Sequence, residues 1–166
     1  MLTDRRLDNG HRAYLGYSIN RLRFLPAHAP AFSNQPATLV YLLEQGTDAN
    51  AVNRHGYSVL HEAAKWSGPE VVKVLLEAGA TPDQVHNQEL TALQELARIF
   101  GTVGEFGNTD YRTFARSDRR IEVARVLIAA GAKPDQRHGG NATAIEMAAG
   151  VGDSELAEFL QSQVDP

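Results

Sequence analysis

The sequence predicts an all-α fold: a solenoid of about four stacked helix–turn–helix units joined by short β-turn or hairpin connections. The first observation is a set of glycines that each end an apolar helical pattern: Gly46, Gly79 and Gly131. The second is a recurring heptapeptide, SVLHEAA at 58–64, TALQELA at 91–97 and TAIEMAA at 143–149. Both markers are spaced by 33 and then 52 residues, and 52 is 33 plus 19. The chain therefore contains a repeated unit, and its third copy carries 19 extra residues.

Composition excludes several classes of protein. The 166 residues suit one domain, and the 43% hydrophobic content is enough to bury a core. The net charge of −4 argues against a general nucleic-acid binder. No apolar run approaches a membrane span and no signal peptide is visible, so we expect a cytoplasmic protein without membrane contact. The absence of cysteine excludes disulfides and thiolate metal sites.

The heptapeptide is interpreted as the start of the first helix in each unit. Ser58, Thr91 and Thr143 carry hydroxyls that can cap the helix by accepting a backbone N–H. The alanines in these segments keep the helices thin enough for close approach between units: Ala63, Ala64, Ala97, Ala148 and Ala149.

The second helix of each unit is more strongly apolar. In the second unit it is predicted over residues 70–78, with Pro69 in its first turn and buried Val71, Val72, Val74 and Leu75. Gly79 then ends the helix in a left-handed conformation.

The domain organisation follows from these units. We predict one domain, 1–166, with an atypical N-terminal unit at 1–46, a second unit at 47–79, a third at 80–131 and a capping unit at 132–166. In the N-terminal unit the apolar stripe at 11–24 favours the first helix, and proline-rich 26–36 is predicted as a loop. The insertion lies at about 102–120, and is either a tolerated excursion or a dedicated contact element.

These features resemble the ankyrin-repeat family, whose unit of 33 residues carries the signature T-P-L-H-x-A. The resemblance covers roughly 38–163, and the best copy is 50–80. The signature is degenerate: Ser58 replaces threonine, Val59 replaces proline and His61 keeps the histidine. In the later units Gln94 and Glu146 occupy the histidine position.

The resemblance implies a non-catalytic protein-binding module whose turn tips and first helices form a concave surface. Carried over through the signature, the predicted partner-binding residues are Arg54, His55, Tyr57, Lys65, Trp66, Asn87, Gln88, Leu90, Arg98 and Ile99. The equivalent positions in the fourth unit form a small and bland set: Arg137, Gly139, Gly140, Ala142, Gly150 and Val151. Arginine, tyrosine and tryptophan are enriched among binding hot spots, which favours the second unit.

Alternatives stay open. Ser58 and His61 could form a catalytic pair, but the hydroxyl is needed by the helix start, so we expect no enzyme and no cofactor. Asp83, His86, Asp135 and His138 could bind a metal in a protein of another class, although no metal site is predicted. An inhibitor or immunity-type protein that masks a bacterial toxin or enzyme is a narrower form of the binding hypothesis. The free chain is expected to be a monomer; self-association through terminal repeats is the structural alternative.

Overall fold

The computed structural model describes residues 26–99 and 117–164. This part of the chain contains eight helices: α1 His28–Phe32, α2 Pro36–Glu44, α3 Val59–Trp66, α4 Pro69–Glu77, α5 Ala92–Ala97, α6 Ser117–Ala129, α7 Ala144–Gly150 and α8 Ser154–Ser162. It contains no strand; one antiparallel bridge joins Val52 to Ser58 across a turn. The all-α solenoid that the repeat predicts is confirmed.

The helices form two layers. In the inner layer α1 packs on α3, α3 on α5 and α5 on α7, while in the outer layer α2 packs on α4, α4 on α6 and α6 on α8. Each inner helix also contacts the outer helix that follows it in the chain. One continuous apolar core runs between the layers through all four units. Since each helix buries its apolar face against neighbouring units, no unit has a complete core of its own.

Each inner helix from α3 onward begins with a reciprocal cap. Ser58, Thr91 and Thr143 accept a hydrogen bond from the backbone N–H three residues later, and the side chain at that later position accepts from the cap backbone. These later residues are His61, Gln94 and Glu146. The predicted helix starts are therefore correct, and this capping box satisfies two backbone donors in each unit.

A ladder of hydrogen bonds ties each unit to the next. In each case the side chain at the signature histidine position bonds to the carbonyl that precedes the next cap. The bonds are His28 Nε2 to Tyr57 O (3.1 Å), His61 Nε2 to Leu90 O (3.0 Å) and Gln94 Nε2 to Ala142 O (2.8 Å). Glu146, at the same position in the fourth unit, is exposed, and its carboxylate accepts from Thr143 N–H and Arg137.

The predicted loop at 26–36 is wrong, because the short inner helix α1 lies within it. Pro30 falls in the first turn of α1, where the missing N–H has no intrahelical partner to lose. The repeat itself carries the signal: His28 precedes His61 by 33 residues, and both bond to the next unit. The helix predicted at 11–24 lies outside the described residues.

The insertion is described at its C-terminal end alone. Residues 117–120, predicted to belong to it, form the start of α6. Arg120 is 2% exposed, and its guanidinium donates to Leu96 O (2.6 Å), Ala97 O (3.0 Å) and the carboxylate of Asp153. Arg120 is therefore a core residue and not a contact residue of a protruding segment.

The turns between units contact one another directly. Asn53 Oδ1 accepts from His55 N–H and Tyr57 N–H and so closes the second unit's turn. Asn87 N–H donates to His55 O (3.2 Å) in the adjacent turn. Gly56 has a φ of +77°, and a Cβ atom there would lie 2.6 Å from Asn87 Oδ1. Glycine is therefore required both by the backbone and by the close approach of the two turns.

Candidate partner-binding surface

The predicted contact residues divide into turn tips and a floor. Arg54, His55, Asn87 and Gln88 are exposed at the tips of adjacent turns. The floor is formed by partly buried Tyr57, Lys65, Trp66 and Ile99, together with exposed Arg98. Leu90 is 6% exposed, so its side chain belongs to the core and its predicted contact role does not fit its burial.

A buried carboxylate organises this floor. Glu95 of α5 is fully buried, and its Oε1 accepts from His86 Nε2 (2.9 Å), Arg98 Nε (2.9 Å) and the Tyr57 hydroxyl (3.4 Å). Lys65 Nζ lies 3.2 Å from Oε2. One carboxylate thus holds side chains from two helices and two turns, in units two and three.

Electrostatics keeps this carboxylate ionised. Burial alone would raise the pKa of Glu95, but the His86 hydrogen bond and the charges of Lys65 and Arg98 outweigh it, so the pKa is well below its usual range. Burial, reinforced by the charge of Glu95, raises the pKa of Tyr57 to about 12. Tyr57 therefore remains a neutral phenol that can donate to Glu95.

Stacked rings lie beneath the charged groups. Tyr57 stacks on His86 with ring centroids 4.1 Å apart and an interplanar angle of 13°. His61 meets the edge of His86 at 5.2 Å. The His86 Nδ1 atom accepts from Gln88 N–H, so both ring nitrogens of His86 have partners. These ring contacts and hydrogen bonds hold the Tyr57 and His86 side chains in defined positions within the floor.

The Trp66 side chain is partly packed against the first unit and partly exposed. Its ring lies 5.7 Å from that of Phe32 in the first unit, and Lys65 Nζ lies 5.7 Å from the indole centroid. Trp66 also hydrogen-bonds to the buried Glu62 carboxyl. The indole is therefore partly a core residue, and its remaining exposed area borders Lys65.

The fourth unit contributes little to this surface. Arg137 is exposed and pairs with Glu146. Gly139 lies against the Glu89 side chain, and Asn141 Nδ2 donates to Gln88 O (2.9 Å). These contacts join the last two turns and leave few large side chains facing outward.

The catalytic interpretation of Ser58 and His61 meets a geometric obstacle. The Ser58 Oγ and His61 Nδ1 atoms are 2.8 Å apart, but both residues are at most 1% exposed. The hydroxyl accepts from His61 N–H, and His61 Nδ1 accepts from Ser58 N–H. A substrate has no path to this oxygen, so the pair acts as the helix cap described above.

The metal interpretation gains no geometric support. His86 is 3% exposed, with both nitrogens already bonded. Across residues 26–99 and 117–164 no three His, Cys, Asp or Glu side chains are grouped so as to hold an ion.

Sequence reasoning missed Glu95 and Glu62, the buried carboxyls of the floor. A signal was present, because His61-Glu62 and Gln94-Glu95 repeat at the 33-residue offset. A glutamate retained at one helical register in adjacent units is a candidate for a shared role. Its burial followed from the stacked helices and from the cations around it.

Of the helices in the described part, none has the length and apolar character needed to cross a bilayer. An open groove lies elsewhere, between the outer helices α4 and α6, lined by Lys73, Leu76, Glu77, Val126, Ala129 and Ala130.

Comparison with protein families agrees with the observed architecture. Residues 12–86 match the family model for ankyrin repeats in three copies. The match ends in the turn of the third unit, and the stacked helices continue the same two-layer arrangement to Ser162. No curated protein matches the chain.

Proposed function

The chain is an ankyrin-repeat protein, and we propose that it binds a partner protein through the concave surface formed by its turn tips and inner helices. Ankyrin repeats are generally protein–protein interaction modules, and stacked repeats create extended surfaces suited to that use. The finer assignment concerns the second and third units, whose turns carry Arg54, His55, Asn87 and Gln88 in exposed positions.

A single observation carries this assignment: the exposed tips surround a floor that is rigid and chemically rich. Glu95 fixes Tyr57, Lys65 and Arg98 from below, so these side chains lose little freedom when a partner binds. Trp66 borders them with partly exposed aromatic surface. Preorganised aromatic and arginine side chains are the residue types that dominate binding energy in protein interfaces.

The test compares surface variants of the full chain. The wild-type protein is used to capture a partner from its native cells, the partner is identified by mass spectrometry, and the affinity is then measured with purified proteins. We expect Arg54→Ala combined with Gln88→Ala to weaken binding by about tenfold or more. Both side chains are exposed, so folding should be unchanged.

Lys73→Ala supplies the matched control, because Lys73 is an exposed cation on the outer helix α4. Unchanged affinity in the double variant, or equal weakening by Lys73→Ala, would contradict the assignment. Where the captured partner is an enzyme or toxin, its activity with and without the chain shows whether binding inhibits it.

A further inference from the structure

We propose that the floor over Lys65 and Arg98 binds an acidic segment of the partner, with an Asp or Glu side chain placed beside these two cations. The inference rests on the proposed function and adds the chemistry of the partner. Charged residues at the predicted contact positions are all basic: Arg54, Lys65, Arg98 and Arg137. The chain as a whole has a net charge of −4, so the charges at these contact positions are opposite in sign to that of the whole molecule.

The positive charge at the floor is incompletely balanced. Lys65 and Arg98 share the single carboxylate of Glu95, with Lys65 Nζ 3.2 Å from Oε2 and an Arg98 terminal nitrogen 2.8 Å from Oε1. The second carboxyl in this region, Glu62, is 6% exposed, and burial raises its pKa. Two cations thus share one fully buried carboxylate, which leaves room for a carboxylate from outside.

Both cations retain exposed area. The Arg98 side chain is 41% exposed and the Lys65 side chain 15%. A charge pair formed above a partly buried floor is screened less by solvent than one between fully exposed side chains. A carboxylate bound at this point would therefore contribute more binding free energy than one bound at an isolated surface lysine.

Aromatic walls define how such a segment would lie. Lys65 Nζ is 5.0 Å from the Tyr57 ring centroid and 5.7 Å from that of Trp66. An acidic side chain reaching Lys65 would bring its neighbours against these rings. We expect the preferred segment to combine Asp or Glu with an apolar residue.

The cation of the fourth unit is already paired within that unit. Arg137 pairs with Glu146, and the acidic side chain of Glu89, from the tip of the third unit, lies against Gly139. Arg54, in contrast, has a histidine as its hydrogen-bond partner, with Arg54 Nε donating to His55 Nε2 (3.0 Å). The acidic segment is therefore expected to follow Arg54, Lys65 and Arg98 and to leave the fourth unit uncovered.

The experiment is selection from a phage-displayed library of random dodecapeptides on the immobilised full chain. We expect the selected peptides to be enriched in Asp and Glu by about twofold over the library. A selected acidic peptide, labelled and titrated by fluorescence polarisation, should bind more weakly as salt rises. Its amide counterpart, with Asn and Gln in place of Asp and Glu, should bind at least about tenfold more weakly.

Two variants locate the binding. Arg98→Met combined with Lys65→Met should remove the acidic enrichment, with circular dichroism checking the fold because Glu95 loses two partners. Arg54→Glu alters an exposed tip without touching the buried carboxylate, and should weaken the selected acidic peptide by about tenfold. Lys73→Glu on the outer layer is the matched control and should leave its affinity unchanged.

The outcomes separate this inference from the proposed function. Neutral or basic peptides that compete with one another and are lost in Arg54→Glu would retain the concave surface but overturn the acidic partner. Acidic peptides that bind all variants equally would place the site elsewhere, and peptides resembling the chain's own segments would indicate a second copy. If the folded chain selects no peptide above the library background, the concave-surface proposal itself is contradicted.

Discussion

At the scale of single residues, His61 does two structural tasks that require its neutral form. Its Nδ1 accepts from Ser58 N–H (3.1 Å), so the proton lies on Nε2, which donates to Leu90 O (3.0 Å). Burial lowers the pKa of His61 to about 4. A second proton, on Nδ1, would make this nitrogen a donor that faces the Ser58 N–H, which is also a donor.

This arrangement predicts a loss of stability in mild acid. The unfolded state takes up a proton near pH 6.5 and the folded state near pH 4, so stability is present above about 6.5 and declines as the pH falls toward 4. Between pH 7 and 4.5 we expect His61 to account for roughly 2 kcal/mol of the decrease in the free energy of unfolding. Urea unfolding at a series of pH values measures it.

His61→Gln is the matched variant, because Gln94 makes both corresponding bonds in the next unit: Oε1 accepts from Thr91 N–H and Nε2 donates to Ala142 O. The glutamine does not titrate, so the variant should lose less stability in acid than the wild type. Identical pH profiles for the two proteins would show that His61 is not the titrating group. Burial also lowers the pKa of His28, which acts in the same direction in both proteins.

Residue-scale predictions from the sequence succeeded where a local rule applied. Ser58, Thr91 and Thr143 were predictable as caps because capping depends on a short stretch of backbone. Glu95 was not, because its burial depends on His86 and Lys65 from other elements, while Arg98, three residues along, is its one local partner. A carboxylate inside a helix is more often solvated, and the sequence alone does not bring Lys65 to it.

At the scale of elements, the Arg120–Asp153 pair holds the ends of three helices together. Arg120 lies in α6, donates to the last carbonyls of α5, and pairs with Asp153, which caps α8 by accepting from Leu156 N–H (3.1 Å). The pair joins helices on both sides of the insertion. It therefore stabilises the third unit where the chain departs from the 33-residue period.

Breaking this pair should be costly. In Asp153→Asn the amide can still cap α8, but the Arg120 guanidinium loses its buried counterion, and we expect a loss of about 3 kcal/mol of stability. Arg120→Met should cost a similar amount, and the double variant less than the sum. Chemical denaturation of the four proteins gives the coupling energy, and strictly additive losses would show that the two side chains act independently.

The helices could be predicted from the sequence where they belong to the repeated unit. The offsets of 33 and 52 residues located α3, α4, α5 and α7, because stacking requires equivalent residues in equivalent places. Helix α1 was missed because the three prolines of 26–36 are unfavourable in helix interiors, although His28 keeps the 33-residue register. The start of α6 was misplaced because comparison with other units contains no counterpart for the insertion.

At the scale of the whole molecule, the core is continuous and shared. Leu160 in α8 and Leu75 in α4 are fully buried members of the same apolar cluster, although they belong to different units. Nearest-neighbour coupling makes the stability of each unit depend on those beside it. An array this short is expected to unfold as one cooperative body.

Leu160→Ala, in the fourth unit, tests whether a change there also destabilises the second unit. The cavity should lower stability by about 2–5 kcal/mol. Trp66, the single tryptophan, reports on the second unit through fluorescence, while far-UV circular dichroism reports on all helices. We expect both signals to shift to the same lower midpoint.

A fluorescence midpoint that stays at its wild-type value while the circular dichroism transition moves would contradict this expectation. Glu158→Ala, an exposed change on the same helix, should leave both midpoints in place.

Glu146, which occupies the ladder position in the fourth unit, determines how the solenoid could be lengthened by design. A histidine or glutamine at this position gives its N–H to the following unit, but Glu146 offers two acceptors, both used within its own unit. The Thr143 hydrogen bond and the Arg137 charge lower the pKa of Glu146 and keep it ionised, so an added carbonyl would meet a negative charge. A grafted fifth repeat would therefore require Glu146→Gln or Glu146→His before it could dock in register. The described ladder therefore runs in one direction along the stack, and Glu146 lacks the N–H donor that would continue it.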